Sequence, residues 1–430
     1  MGLQGPWPPS QPAGLRTGHT QRGTMTASTA RARVLLGDRR VGTLHYAQGQ
    51  TSFVYEDLEP EHPVLGLRFD YDPDYAAHPV TGVPSWFANL LPERESGLRR
   101  LYNQQLGRRD TPDFLLLLHL GHDLPGAVRV ETEGTLPTAM SEALEEAQLT
   151  THRPKMSFSL SGMQLKFSMT ADGDGFRLPA PQQLGDWIIK LPSNVHEQLP
   201  ANENAMMRWA ALAGIDVPEH RLVPLNSLQG LPEEHLSEDG LAFAVSRFDR
   251  EHRDRIHQED FAQVLDASPA EKDRGSQELI AQVLLDYCPE DFDEYIRRLV
   301  FCVAAGNTDE HLKNWSLRYP DRYTPRLSPA YDLVAVTSYP VYRRDVLTLP
   351  IAEQADPRYI TRDHFRRFAE SLDTDPAPVL RTVDQTVEQL HATWPQVHDT
   401  PHIPGFVRAN IADRLRTLPL LQSARQSSET

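Results

Sequence analysis

Apolar and polar positions alternate in the first part of the chain and recur at helical spacing in the last. Residues 33–44 read as two strands around a Gly37-Asp38 turn, and 51–55 as a third strand. The run from Trp86 meets Pro92, and an amphipathic helix is expected beyond it through Tyr102. Phe114 to Leu118 is an apolar run closed by His119 and Gly121, the buried end of a helix over 113–120. A glycine turn at 121–126 leads to a strand at 127–130, which completes an α+β unit near Glu133. A connector over 135–154 carries one short helix at 141–148. Strands at 157–169 and 187–191, a helix at 202–213 and a strand at 241–247 follow. Gly214 and Pro218 stop that helix. Beyond Gln258 the pattern is mainly helical, with helices at 277–287, 292–305 and 401–420. Strand-rich sequence followed by helix-rich sequence predicts two lobes with a cleft between them.

Composition adds bounds. The chain has 430 residues, too many for one ordinary core. No apolar run approaches the roughly 20 residues of a membrane helix. The net charge of −16 argues against direct nucleic-acid binding, which needs Lys and Arg on phosphates. Cys288 and Cys302 are too few for a disulfide framework and read as core thiols in a reducing, cytoplasmic protein. Residues 1–28 are rich in proline, glycine and basic groups, lack the apolar stretch of a signal peptide, and are expected to be disordered. Organised sequence begins just after Met25, a candidate start. The expected division is the tail at 1–28, an N-terminal subdomain at 29–134, an N-lobe with its connector at 135–255, and a mainly helical C-lobe at 256–430.

The chemistry concentrates in a few short segments. Gly306-Asn307-Thr308-Asp309-Glu310-His311-Leu312-Lys313-Asn314 sets an Asp and an Asn at the separation that kinases use for the base and a metal ligand. Asp332, in Ala330-Tyr331-Asp332-Leu333, lies 18 residues beyond Asn314, where a second metal-binding carboxylate belongs. Magnesium suits such a pair, because it takes hard oxygen ligands and keeps several waters. Lys190, in the apolar strand Trp187-Ile188-Ile189-Lys190, is placed to meet phosphates. Ser157-Phe158-Ser159-Leu160-Ser161-Gly162-Met163-Gln164-Leu165-Lys166 precedes it, where a phosphate-covering turn belongs, though it matches neither the Walker nor the eukaryotic glycine-rich pattern. On residues alone, other readings stay open. Asp309 and Asn314 also suit capping and turns, Lys190 a surface charge, and His311 a structural partner of the loop. A non-catalytic nucleotide-binding regulator, or a metal hydrolase built from Asp309, His311 and Asp332, are the competing functions.

The order Ser-Leu-Ser-Gly-Met-Gln-Leu-Lys, Ile-Ile-Lys-Leu-Pro, Asn-Glu, Ser-Arg-Phe-Asp-Arg, Gly-Asn-Thr-Asp-Glu-His-Leu-Lys-Asn and Tyr-Asp resembles the HipA family of bacterial serine/threonine kinase toxins. Phe87 to Glu93 and Asp123 to Val128 resemble that family's N-terminal subdomain. The resemblance implies an α+β, bilobal protein-kinase-like fold with an additional N-terminal α+β subdomain, and ATP and Mg2+ as cofactors. It implies Asp309 as catalytic base, Asn314 and Asp332 as metal ligands, and Lys190, Gly162, Val245, Phe248 and His311 as ATP contacts. Ser159 and Ser161 correspond to autophosphorylated serines, whose added charge would expel the loop and silence the kinase. Ser246 stands where the family often has Glu, which puts any side-chain contact to adenine there in doubt. The implied partners are a protein substrate, aminoacyl-tRNA synthetases being targets within the family, and a helix-turn-helix antitoxin of HipB type. DNA would be reached only through the antitoxin, and no membrane is involved.

Overall fold

The structure, a computed structural model, describes residues 29–56, 62–149, 164–180, 183–193, 195–231, 240–251 and 254–422. The expected tail and the turn carrying Ser157, Ser159, Ser161 and Gly162 lie outside the described residues. Strands β1 (Thr29–Leu36), β2 (Arg39–Ala47), β3 (Gln50–Tyr55), β4 (Val80–Thr81) and β5 (Val128–Glu133) form an antiparallel sheet in the order β4-β3-β2-β1-β5. In β1, Ala30, Ala32 and Val34 point into the core while Arg31 and Arg33 face out. The two arginines meet Glu133 and Glu131 directly across on β5, so alternation and charge fix one register. Helices α1 (Leu67–Tyr71), α2 (Ser85–Ala88), α3 (Gly97–Gln105), α4 (Asp113–Leu120) and α5 (Thr138–Leu149) accompany this sheet. Its core is aromatic, with Phe53, Phe69, Trp86 and Phe87 fully buried.

The second sheet carries the cleft. It contains β6 (Lys166–Asp172), β7 (Gly175–Arg177), β8 (Trp187–Lys190), β9 (His220–Pro224), β10 (Leu228–Gln229) and β11 (Leu241–Ser246), in the order β10-β7-β6-β8-β11-β9. Only the β10–β7 pair is parallel. Helix α6 (Leu199–Leu212) packs on this sheet, with Met206, Met207, Trp209 and Ala210 buried. Of the expected strand at 157–169, the described part runs later, over β6. Strands β7 and β9 were not expected, being short and lacking regular alternation.

A ribbon, β12 (Arg250–Glu251) and β13 (Asp254–Arg255), leads to β14 (His257–Asp260) and a short helix α7 (Phe261–Val264). Helices α8 (Gln277–Tyr287) and α9 (Phe292–Ala305) match their expected bounds. Strands β15 (Ser316–Tyr319) and β16 (Arg326–Leu327) join β14 in a small sheet. Helices α10 (Arg362–Ser371), α11 (Pro376–His398) and α12 (Gly405–Thr417) complete the helical lobe. Only the last of these three was foreseen, although Val379, Val383, Val387, Leu390 and Trp394 are buried at helical spacing in α11. Cys288 and Cys302 are buried thiols, as expected. Among the described residues no helix is long and apolar enough to cross a membrane.

Buried charge joins the N-terminal unit to the rest. Arg247 donates to Asp249 at 2.8 and 2.7 Å and to Asp123 at 3.3 Å. Arg250 donates to Asp123 and Asp249 at 2.9 Å each, and Asp249 also accepts from the Gly126 N–H at 2.8 Å. Glu259, fully buried on β14, accepts from the Leu67 N–H, the Trp86 indole and the Tyr319 hydroxyl. A buried ion cluster stripped of one member leaves its partner's charge uncompensated. Arg247→Ala should therefore lower unfolding free energy by about 3–5 kcal/mol in urea denaturation. A solvent-facing control, Arg358→Ala, should leave the midpoint nearly unchanged.

Candidate active site

Strand geometry aims two lysines at one cleft. Along β8, Trp187 and Ile189 enter the outer core, so the alternation turns Ile188 and Lys190 to the other face, where both line the cleft. Lys166 on β6 is the direct cross-strand partner of Lys190 and lines the same cleft. The buried ammonium of Lys190 donates to Glu203 Oε1 at 2.5 Å and to Asp332 Oδ1 at 2.6 Å. Burial opposes the charge on Lys190, but Asp332 and Glu203 outweigh it and hold the ammonium above the usual lysine range. Burial likewise opposes the charge on Asp332, and Lys190 followed by Lys166 brings that carboxyl well below the usual range. Glu203, buried more deeply, is pushed up by burial to about 7 against the pull of Lys190. Burial takes Lys166 down to about 8.

The loop after α9 supplies the remaining groups. Gly306 ends that helix at φ +70°, and a Cβ there would lie 2.0 Å from Thr337 Oγ1. Only glycine therefore fits, and the chain turns sharply into the loop. The buried guanidinium of Arg414, on α12, donates to the carbonyls of Val303 and Ala304 and completes the helix end. Asn307 donates to Glu310 at 2.6 Å, turning both inward. The Asp309 side chain faces solvent, while its carbonyl accepts from the His311 N–H and from Asn314 Nδ2 at 3.0 Å. With its nitrogen committed there, the Asn314 amide has its oxygen left for a ligand. Although the residue is exposed, partial burial of its carboxyl pushes Asp309 up to about 6, with Lys272 opposing the effect and Asp332, Asp273 and Glu93 adding to it. Asp332 adopts φ +60°, a left-handed conformation that Asp tolerates.

Of the residues singled out from sequence, Lys190, Val245, Phe248, Asn314 and Asp332 line one cleft. Asp309 stands on the same loop as Asn314, outside the lining. His311 is buried, does not line the cleft, and its Nδ1 has no hydrogen-bond partner among the described residues. Gly162, Ser159 and Ser161 lie outside the described residues. The backbone N–H groups of Ser246 and Arg247 are committed to the carbonyls of Glu219 and Asp186, while the Phe248 ring packs on Tyr331 with centroids 5.4 Å apart. Sequence reading gave no role to Glu203 or Lys166. The signal for Glu203 was a carboxylate on the apolar face of α6, one turn before Met206 and Met207. Asp309, His311 and Asp332 do not gather as a metal cluster, and among the described residues no group of three or more His, Cys, Asp or Glu does. Asn314 and Asp332 nonetheless fit a magnesium ion that arrives on a nucleotide, because phosphates and waters supply most of its ligands.

Comparison with known proteins bears on this geometry. Residues 158–394 match the HipA-like C-terminal domain, and residues 32–131 match the HipA N-terminal domain. A Sinorhizobium fredii protein named "Putative kinase Y4dM" is 40% identical over 343 residues, covering 78% of this chain and 81% of that one. A Haemophilus influenzae protein named "Putative kinase" is 31% identical over 209 residues, 46% of this chain and 58% of the relative. HipA from Shewanella oneidensis MR-1, solved with HipB and operator DNA, superposes with a TM-score of 0.70 at 20% identity, covering 92% of this chain and 99% of that one. The superposition concerns fold alone and agrees with an α+β, bilobal, kinase-like architecture carrying an N-terminal subdomain. Both halves of the sequence thus match the same family, and the chain is a member of the HipA family.

Proposed function

We propose that this protein is a serine/threonine protein kinase that transfers the γ-phosphate of ATP to a protein, as the toxin of a toxin–antitoxin pair. The observation that carries this reading is the ammonium of Lys190 held between Glu203 on α6 and Asp332, in a cleft that Asn314 also lines. Protein kinases require a lysine paired with a helix glutamate and a nearby metal-binding aspartate. Lys190 and Lys166 then face the phosphates, Val245 and Phe248 the adenine, and Asn314 and Asp332 the metal. Magnesium, bound there with the nucleotide, supplies charge neutralisation at the β- and γ-phosphates. Asp309 accepts the proton of the attacking serine or threonine hydroxyl. As that oxygen bonds to the γ-phosphorus, the bond to the β-bridging oxygen breaks and ADP departs. His311 serves the loop from inside in this reading, a change from the ATP contact implied by family resemblance. Autophosphorylation at Ser159 or Ser161 belongs to the same activity acting on the chain itself.

The partner reading is a HipB-type antitoxin. It rests on family membership and on the Shewanella relative having been solved with HipB and DNA. The net charge of −16 supports contact with DNA through that partner rather than directly. An aminoacyl-tRNA synthetase is the substrate class proposed by family resemblance.

Transfer of labelled γ-phosphate to protein tests the reading. Asp309→Asn should lower the rate by roughly 10²–10⁴-fold, the range for loss of a general base. Lys190→Met and chelation of magnesium should each reduce transfer to background. Wild-type protein, stripped of prior phosphorylation, that transfers no more than the Asp309→Asn variant would remove the proposal. The rate also depends on pH. The base must be ionised, so activity is retained above its pKa and lost as pH falls through about 6. A pH–rate profile at constant ionic strength checks this, and a flat profile between pH 5 and about pH 7.5 would show that no group titrating near 6 serves as the base.

A further inference from the structure

The Lys313 ammonium, at the edge of the cleft, is held by acceptors from two other segments of the chain. Its three N–H groups meet the Asn89 carbonyl at 2.9 Å, Asn89 Oδ1 at 3.1 Å and Asp260 Oδ2 at 2.7 Å, which saturates the ammonium. Two of the three acceptors belong to one residue of the N-terminal unit, 224 positions away in sequence. The Asn89 amide is itself fixed, because Nδ2 donates to the carbonyls of Ser85 and Ala267 and leaves Oδ1 toward Lys313. Lys313 precedes Asn314, and its carbonyl accepts from the Tyr331 hydroxyl at 2.9 Å, one residue before Asp332. A second strut runs in parallel. Glu93 accepts from Lys272 at 2.9 Å, and the Lys272 carbonyl accepts from the Leu312 N–H at 3.0 Å. Asn89 and Leu90 also line the cleft.

We propose that residues 89–93 of the N-terminal unit are a positioning segment for phosphoryl transfer: Asn89 sets Asn314 and Tyr331 through Lys313, and Glu93 sets the catalytic loop through Lys272. The inference rests on the kinase reading above for its catalytic consequence, but not for the strut itself. The kinase lobes hold all the reacting groups, and the N-terminal unit holds two of those groups in place. Displacement of a reacting group by about 1 Å costs on the order of a hundredfold in rate.

Two measurements on the full chain test this. The first is steady-state kinetics of Asn89→Ala, Glu93→Gln and Glu93→Asp. Asn89→Ala and Glu93→Gln should lose about ten- to a hundredfold in kcat, and Glu93→Gln, which removes no cleft-lining group, should keep KM for MgATP within about threefold. Glu93→Asp, which keeps the charge, should recover most of the loss. Arg94→Ala, a neighbouring exposed residue, should match wild type. The Glu93–Lys272 pair is partly exposed, so Glu93→Gln should fold even if Asn89→Ala does not. The second measurement is amide hydrogen exchange without nucleotide. Both variants should speed exchange across 307–316 and leave α11 at wild-type rates. Unchanged kcat and unchanged loop exchange in folded Glu93→Gln overturn the inference. Parallel loss of ATP affinity with no rescue by Glu93→Asp also overturns it, in favour of a general packing role. A wild type that transfers no phosphate defeats the kinase reading alone, and the exchange data still decide the strut.

Discussion

The ammonium of Lys190 between Glu203 and Asp332 is the contact on which the cleft depends. It joins the strand-rich lobe, through β8 and α6, to the segment that follows the catalytic loop. Its electrostatics constrain what can enter. Two lysines, Lys166 and Lys190, face two carboxylates, so the inner cleft is close to neutral when all are charged. A polyphosphate brought there alone would lack enough positive charge to replace its water. One brought with a divalent cation does not, and the oxygens of Asn314 and Asp332 are suited to that cation. Under the kinase reading proposed above, charge balance then favours a metal–nucleotide complex over the free nucleotide.

Charge is also what joins the N-terminal unit to the rest. Its hydrophobic cluster closes within the unit, while a larger cluster runs from Met206, Trp209 and Phe243 into the helical lobe, and the seams of the N-terminal unit hold Arg247 with Asp123 and Asp249, Glu259 with its three donors, and Lys313 with Asn89 and Asp260. Apolar seams tolerate small slips, because dispersion and hydrophobic burial are non-directional. Buried ion pairs and hydrogen bonds do not, since a misplaced partner leaves a desolvated charge. Seams of this kind fix relative placement more than they raise net stability. That suits a protein whose site is assembled from separate units.

The candidate site residues were legible in sequence where each sits inside a local pattern. Asp309 and Asn314 share one loop, and Asp332 follows at a short interval. Lys190 ends a recognisable strand. Helices α8 and α9 were legible for a related reason, since their apolar spacing is regular. What was given no role of its own depended on distant partners. Glu203 looks like any polar residue in a helix until the sheet beneath it turns Lys190 toward it. Lys166 becomes a cleft residue only through its register opposite Lys190. Asn89 and Lys313 are each unremarkable alone, and no spacing rule links positions on opposite sides of the chain. Strand β7 escaped because three residues carry too few positions to display a period, and β9 because its five residues lack regular alternation.

The cap on α9 has a consequence for the order of events at the ribosome. The loop bearing Asp309 leaves a helix whose last carbonyls are held by Arg414, a residue that emerges about a hundred positions later in synthesis. Until α12 has been made and docked, those carbonyls lack that partner, and the turn at Gly306 lacks the Arg414 side of the wall that Thr337 begins. A nascent chain that already carries Lys190, Asp309, Asn314 and Asp332 is thus still missing the residue that caps the helix before the Asp309 loop. In a protein whose proposed activity would harm the cell producing it, the loop is set only after α12 has followed it out of the ribosome.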